Sequence, residues 1–332
     1  MGICKIFDPY PKENKEDFFD NDEVLDEIIK LIEGKFWPLL VGPKRTGKTS
    51  ILKILSKELE GIYVDASGVK TLRGLGNMLL KNSLNLKLKV DLKVISIELT
   101  KRPVTAIQEL LSNLDSKVIF IDEAQNVASP WFISILSVAY NTSQVKFAFS
   151  GSMIGLSKII SGKSKKAKFK GRPIVEVNIN PWDDNTSIQF LKEGAKRCSI
   201  NIAEGEIEDA VRTYRGIPGW LTYYGNFRSL GYPHDRAKQL VLNIARNIIK
   251  DEIEEFGEIE KTIIRALTLV ERARWGDLKK VTEALLKREI NDSSFTHALN
   301  QLVNARVVNK KVGDNTYSLI DPLYKEVLST PY

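Results

Sequence analysis

The 332-residue sequence holds only two cysteines and two histidines. Cys4 and Cys198 are too few and too far apart for a disulfide framework or a zinc site, and two histidines do not make up the deficit. No apolar run approaches the roughly 18 residues a membrane span needs. The longest stretches, such as Trp131 to Tyr140, are broken by polar residues. The opening Met-Gly-Ile-Cys-Lys-Ile lacks the apolar core of a signal peptide. It also lacks the Ser or Thr at position six that myristoylation prefers. These absences exclude a metal cage and a disulfide scaffold, and they predict a cytoplasmic chain with no membrane partner.

What remains is ordinary globular composition, 43% hydrophobic and 27% charged, in a chain long enough for two or three domains. The net charge of +7 is local. Residues 151–172 carry Lys158, Lys163, Lys165, Lys166, Lys168, Lys170 and Arg172 with no Asp or Glu. Two readings stand for this segment: a solvated loop, or a contact with something anionic such as a nucleotide, a nucleic acid or an acidic partner.

Hydrophobic periodicity predicts an amphipathic helix over 23–33, a short strand at 38–41, a helix from the end of the following loop to near Gly61, and a strand at 62–64. Strand, helix, strand is the βαβ order of a parallel sheet. Residues 84–94 alternate strictly, predicting a half-buried strand. A helix over about 103–114 leads to the apolar run Val118–Ile121, and Val145–Phe149 and Ile174–Val177 complete the core strands. Helices are expected over about 185–254. From about 255 the pattern gives a helix to Val270, a second over Trp275–Lys287, and a third after Asn291-Asp292-Ser293, whose polar side chains suit an N-cap. Two strands, 306–312 and 316–319, follow around a Gly313-Asp314-Asn315 turn. Three helices and a two-stranded wing make a winged-helix domain.

The chemistry is concentrated in two short runs. Gly42-Pro43-Lys44-Arg45-Thr46-Gly47-Lys48-Thr49 fits G-x-x-x-x-G-K-[ST], lying after a predicted strand and opening a helix. Glycines let such a loop turn tightly and aim backbone N–H groups at phosphates. Lys48 is expected to reach the β- and γ-phosphates, and the Thr49 hydroxyl to ligate Mg²⁺, with Ser50 continuing the loop into the helix. The bare pattern arises by chance in about one protein in a hundred of this length, so the second run matters. Four apolar residues lead into Asp122-Glu123, at the end of a parallel strand where such sheets bind ligands. Asp122 is expected to hold Mg²⁺ through water, and Glu123 to polarise the attacking water. Ser150-Gly151-Ser152 ends the neighbouring strand, either as a γ-phosphate sensor or as a plain turn. Arg172 is a candidate arginine finger. Gly216-Ile217-Pro218-Gly219-Trp220 marks a turn among the later helices.

These residues together with Gln125, Phe7-Asp8 and Asp17-Phe18-Phe19-Asp20 resemble the archaeal AAA+-related ATPases of the STAND class. The resemblance covers essentially the whole chain, from about residue 5 through the winged helix. It implies an α/β, P-loop NTPase parallel-sheet core over 1–184, a helical lid over 185–254 and a winged-helix domain over 255–332, with ATP or ADP between core and lid. It implies base contacts from Phe18 and Phe19, an approach of Pro218 to the nucleotide, Ser152 as sensor and Arg172 as finger. Where that family has an Arg-Glu pair after Phe-Phe, Asn21-Asp22-Glu23 stands here, and Arg215 is the nearest match to a lid arginine. The choice of ATP over GTP follows from the family, because no Asn/Thr-Lys-x-Asp guanine motif is present.

A winged helix invites a DNA partner. Residues 255–332, however, carry twelve Lys/Arg against eleven Asp/Glu, and 291–305 has no Lys or Arg. Phosphate neutralisation supplies most non-specific affinity, so a neutral recognition helix favours an ATP-driven regulatory switch with a protein partner and slow turnover. A DNA-binding ATPase using the wing and segment 158–172 is the alternative. A structural nucleotide site is the third, against which Glu123 argues.

Overall fold

The computed structural model describes residues 4–19, 22–83, 92–114, 116–151, 174–311 and 313–329. They form two compact units. A sheet unit comprises Pro11–Gly42 and Lys48–Ile179, and a helical unit comprises Met1–Tyr10, Pro43–Gly47 and Asn180–Tyr332.

In the sheet unit, β1 (Trp37–Val41), β2 (Ile62–Asp65), β3 (Val118–Asp122), β4 (Lys146–Ser150) and β5 (Ile174–Asn178) form one sheet in the order β2-β3-β4-β1-β5. Every neighbouring pair is parallel. Alternate side chains of a strand face opposite sides, and both sides are covered. Trp37, Leu39, Val41, Ile119, Ile121, Phe147 and Phe149 enter one core with α3 (Leu72–Asn82), α4 (Leu92–Lys101), α5 (Pro103–Asn113) and α6 (Pro130–Thr142). Leu40, Val118, Phe120, Ala148 and Val177 enter a second core with α1 (Asp22–Glu33) and α2 (Lys48–Glu58). This double burial is why the strands read as unbroken apolar runs.

The helical unit continues with α7 (Asp184–Arg197), α8 (Glu204–Tyr214), α9 (Pro218–Ser229), α10 (His234–Glu254), α11 (Glu258–Val270), α12 (Trp275–Leu286), α13 (Asp292–Asn304) and α14 (Leu323–Ser329). A three-stranded antiparallel sheet, β6 (Arg272–Arg274), β8 (Thr316–Leu319) and β7 (Val308–Lys311), lies among the last four. Sequence signals set several boundaries. The Asn291 side chain accepts from the Ser294 N–H at 2.7 Å, and Asp183 caps α7 by accepting from Thr186 at 2.7 Å. Gly216 takes φ 73°, and Pro218 then opens α9 at the first helical position.

Two expectations are corrected. From Leu92 the chain is helical, not strand: Ile95 and Leu99 are buried four residues apart on one face of α4. The remainder of the alternating stretch, 84–91, lies outside the described residues. The cysteines, expected to be too few and too far apart for a disulfide framework, are joined: Cys4 and Cys198 form a disulfide with Cα atoms 5.5 Å apart. Folding brings the N-terminal segment to the end of α7, where Phe7 packs edge-on to Phe190. Sequence distance said nothing about this proximity, and cysteine scarcity no longer argues for a compartment. No helix among the described residues is long and apolar enough to cross a membrane.

Candidate functional site

Parallel strands bring their C-terminal ends to one edge. Register pairs Ile121 with Phe149 and Ser150 with Leu40, so Asp122, Ser150 and Leu40 stand level across β3, β4 and β1. Gly42 begins its loop two residues beyond Leu40. β4 separates β1 from β3, which puts the two strands roughly 10 Å apart. Asp122 and Ser150 share strand parity with Phe120 and Ala148, so they occupy the face covered by α2.

The loop before α2 is tightly fitted. A side chain at Gly42 would place its Cβ 2.1 Å from the carbonyl oxygen of Ile179, the residue after β5, so the backbone there excludes any other residue. The Lys48 ammonium donates to the Gly42 carbonyl at 3.0 Å. Thr46 is buried, and its hydroxyl donates to the Pro43 carbonyl at 2.9 Å. Thr49 sits half-buried in the first turn of α2, where unpaired helix N–H groups favour anions. The buried Ser50 hydroxyl turns elsewhere and accepts from the Lys12 N–H at 3.0 Å. Lys44 is half-exposed, with its ammonium 3.8 Å from Glu252 and 3.9 Å from Glu255. The Arg45 guanidinium donates to Glu252, so what this residue can offer a phosphate is its backbone N–H.

Asp122 is buried and closely held. Its Oδ2 accepts from the Tyr63 hydroxyl at 3.0 Å, and its Oδ1 accepts from the Ser150 hydroxyl and from the Glu123 N–H at 3.1 Å. Burial, and next the Asp122 charge, raise the Tyr63 hydroxyl well above the ordinary tyrosine pKa, so it stays a donor. A carboxylate has about four acceptor positions; three donors leave room for one more, such as a metal-bound water. Glu123 adopts a left-handed backbone, φ 51° and ψ 42°, a conformation that costs on the order of 1 kcal/mol or more and clusters at functional sites. The Gln125 amide donates to its carboxylate. Gly151, at φ 151°, makes space for that amide: a Cβ there would lie 2.1 Å from Gln125 Oε1.

The donor set suits Mg²⁺. One hydroxyl at a helix start and one carboxylate with a free acceptor position match an ion that keeps its waters and takes phosphate oxygens. Among the described residues no group of three His, Cys, Asp or Glu side chains could form an all-protein cage.

Of the remaining predicted residues, Phe18 and Phe19 are half-buried, with Phe18 packed against the α1–α2 core. Pro218 is buried at the start of α9, where Gly219 N–H donates to the Arg45 carbonyl at 3.0 Å. Arg215 ends α8 with φ 43°. Ser152, Arg172 and the basic segment 158–172 lie outside the described residues. Sequence reasoning missed Tyr63, because nothing local reveals that β2 lies beside β3. It also missed Ser150 as a partner of Asp122, naming only the strand end.

Residues 18–224 match the family described as an ATPase domain predominantly from Archaea. The Walker-type ATPase of Pyrococcus abyssi superposes with a TM-score of 0.86 at 27% identity, covering 98% of this chain and 100% of that one. The ORC2 protein of Aeropyrum pernix, in ADPNP–ADP complexes, superposes with a TM-score of 0.66 at 13% identity over 98% of this chain and 95% of that one. That second likeness is one of fold. No curated protein matches the sequence.

Proposed function

The chain belongs to the archaeal family of ATPase domains and is a P-loop ATPase of the AAA+ type, and from that premise we propose a slowly hydrolysing, STAND-class switch whose nucleotide state governs a protein partner. The observation that carries this reading is the pairing at the end of β3. Asp122 is fixed by Tyr63 and Ser150, and Glu123 is held separately by Gln125. One carboxylate serves a metal and its neighbour serves water.

In this reading Lys48 and the loop amides of 42–49 bind the phosphates of ATP or ADP. Thr49 and Asp122 would hold Mg²⁺, which when bound would neutralise phosphate charge. Glu123 orients the attacking water and takes its proton, with Gln125 keeping the carboxylate aimed. Ser152 acts as sensor and Arg172 as finger, while Phe18, Phe19 and Pro218 flank the nucleotide. The domains are a core over 1–184, a lid over 185–254 and a winged helix over 255–332.

Charge supports a protein partner over DNA. Helix α13 carries no Lys or Arg. On the wing, Lys311 lies 3.7 Å and Arg272 3.9 Å from Asp314, and Lys310 sits over the Tyr317 ring at 5.8 Å. Pairing with Asp314 lowers the positive charge that Lys311 and Arg272 offer for displacing counterions.

The test is ATP turnover of the wild type beside Glu123→Gln, with and without duplex DNA at low salt. The expected result is slow turnover, indifferent to DNA, that falls about 10²- to 10⁴-fold in the variant while ATP still binds. Equal rates would remove the role assigned to Glu123. Stimulation by DNA would replace the switch with a DNA-dependent machine.

A further inference from the structure

Arg45 lies inside the phosphate loop, three residues before Lys48, yet its side chain is 12% exposed. Both terminal guanidinium nitrogens donate to Glu252 Oε1, at 3.0 and 2.7 Å. The group lies 4.2 Å from the centroid of the Trp220 ring. A planar guanidinium suits both partners at once, through a charge-assisted fork on one side and an aromatic face on the other.

The partners are themselves pinned from the C-terminal end of the chain. Glu252 Oε2 accepts from the Tyr324 hydroxyl at 2.8 Å. The Trp220 indole N–H donates to Asp321 Oδ2 at 2.8 Å, and Asp321 Oδ1 accepts from the Leu323 N–H at 3.0 Å. Trp220, Glu252, Asp321 and Tyr324 are all buried. The backbone is gripped too. Gly219 N–H donates to the Arg45 carbonyl, and a Cβ on Gly219 would come within 2.8 Å of the Arg45 Cβ, so only glycine permits this approach. Arg45 is itself left-handed at φ 66°, a conformation a long side chain holds only when its surroundings impose it.

We infer that Glu252 and Trp220, braced by Tyr324 and Asp321, form a socket for Arg45 that positions the phosphate loop, so that nucleotide affinity is set in part by the C-terminal segment carrying α14. This deepens the nucleotide-binding reading above and rests on it. None of the socket residues needs to touch nucleotide. They act through the Arg45 backbone, whose φ and carbonyl they fix. A loop whose donors are already aimed loses less conformational freedom on binding. By linkage, whatever stabilises α14 against α10 strengthens nucleotide binding, and bound nucleotide stabilises that docking in return.

The experiment is a double-mutant cycle on Mg-ATP affinity, using Arg45→Gln, Glu252→Gln and the pair, with Tyr324→Phe as a milder second variant and Lys48→Ala as control. If the socket acts through Arg45, each single change weakens Mg-ATP binding about tenfold, and the double variant weakens it about tenfold again only in total, not a hundredfold. Turnover of Glu252→Gln at saturating ATP stays within a few-fold of wild type, so the loss falls on KM. Tyr324→Phe, which removes one hydroxyl from a packed site, gives a smaller loss of the same kind. Bound nucleotide also slows amide exchange in α14 of the wild type and not of Glu252→Gln. Wild-type affinity in a folded Glu252→Gln variant, or simple additivity in the cycle, would overturn the inference. Failure of the underlying reading looks different: Lys48→Ala would then bind Mg-ATP as the wild type does, or neither protein would bind it.

Discussion

Three hydrogen-bond donors converge on the Asp122 carboxylate, and they come from three different strands or strand ends. Tyr63 is the one whose removal is cleanest. Tyr63→Phe keeps the ring in its half-buried place, and Ser150 and the Glu123 N–H still hold Oδ1. Hydrogen bonds to charged groups are worth about 1.5–3 kcal/mol, so the expected result is roughly a tenfold rise in the Mg²⁺ concentration that half-saturates turnover. A metal titration of ATPase rate checks it, and an unchanged midpoint would show that Ser150 and the Glu123 N–H suffice. A second residue-scale expectation concerns Gly151. Alanine there would collide with the Gln125 carboxamide at 2.1 Å and release Glu123. Steady-state kinetics of Gly151→Ala should show a kcat loss of at least tenfold with KM little altered, the pattern of a displaced base rather than a damaged binding loop. Lys48, Thr49, Asp122 and Glu123 were legible in the sequence because each lies in a contiguous run with its own context. Tyr63, Glu252 and Tyr324 were not, because their roles depend on which elements become neighbours.

At the scale of elements, what the sequence revealed depended on how local the cause was. β1, β3 and α2 follow from apolar runs and a loop that must end in a helix. α13 follows from Asn291, whose cap the structure realises. Over 92–94 the alternation misled because a period of two and a period of 3.6 share positions over short windows; Ile95 and Leu99 decide for a helix, and they lie past its end. β6 and α14 were too short to show a pattern at all. The pairing of α8 with α10 is a further non-local feature and has a pH signature. Asp209 on α8 accepts from Arg212 on its own helix and from Lys238 on α10, and its Oδ2 also meets the His234 ring at 2.9 Å. Hydrogen bonds from Lys238 first, then Arg212, hold its carboxyl far below the ordinary aspartate pKa. A carboxyl depressed in the folded state binds its proton more readily when unfolded. Its stabilisation is therefore full above the unfolded value near pH 4, and is lost as pH falls from there toward the folded value. Asp209→Asn should melt below the wild type at pH 7, and the difference should shrink steadily below about pH 4. Melting curves from pH 7 to pH 2 test this, and a difference constant with pH would mean the carboxylate charge contributes nothing.

On the scale of the whole molecule, the longest covalent constraint is the Cys4–Cys198 disulfide, with a sequence separation of 194. Cross-linking a loop of that length removes unfolded-chain entropy worth about 5 kcal/mol in the loop-closure treatment, and native disulfides typically deliver about 2–5 kcal/mol. Its position gives it a second effect. Phe7, fully buried against Phe190, lies three residues from Cys4, so the bond keeps a short N-terminal segment from fraying off α7 and α9. A terminus tied down in this way contributes core that would otherwise be lost at the chain end. Reduction should therefore lower the melting temperature by roughly 5–15 °C, and Cys4→Ser should melt at that lower temperature whether or not reductant is present. Thermal unfolding of both proteins, with and without a phosphine reductant and with thiols counted in each sample, makes the comparison. If the reduced wild type shows two titratable thiols and melts where the oxidised protein does, the buried Phe7 alone secures the terminus and the disulfide adds nothing to stability.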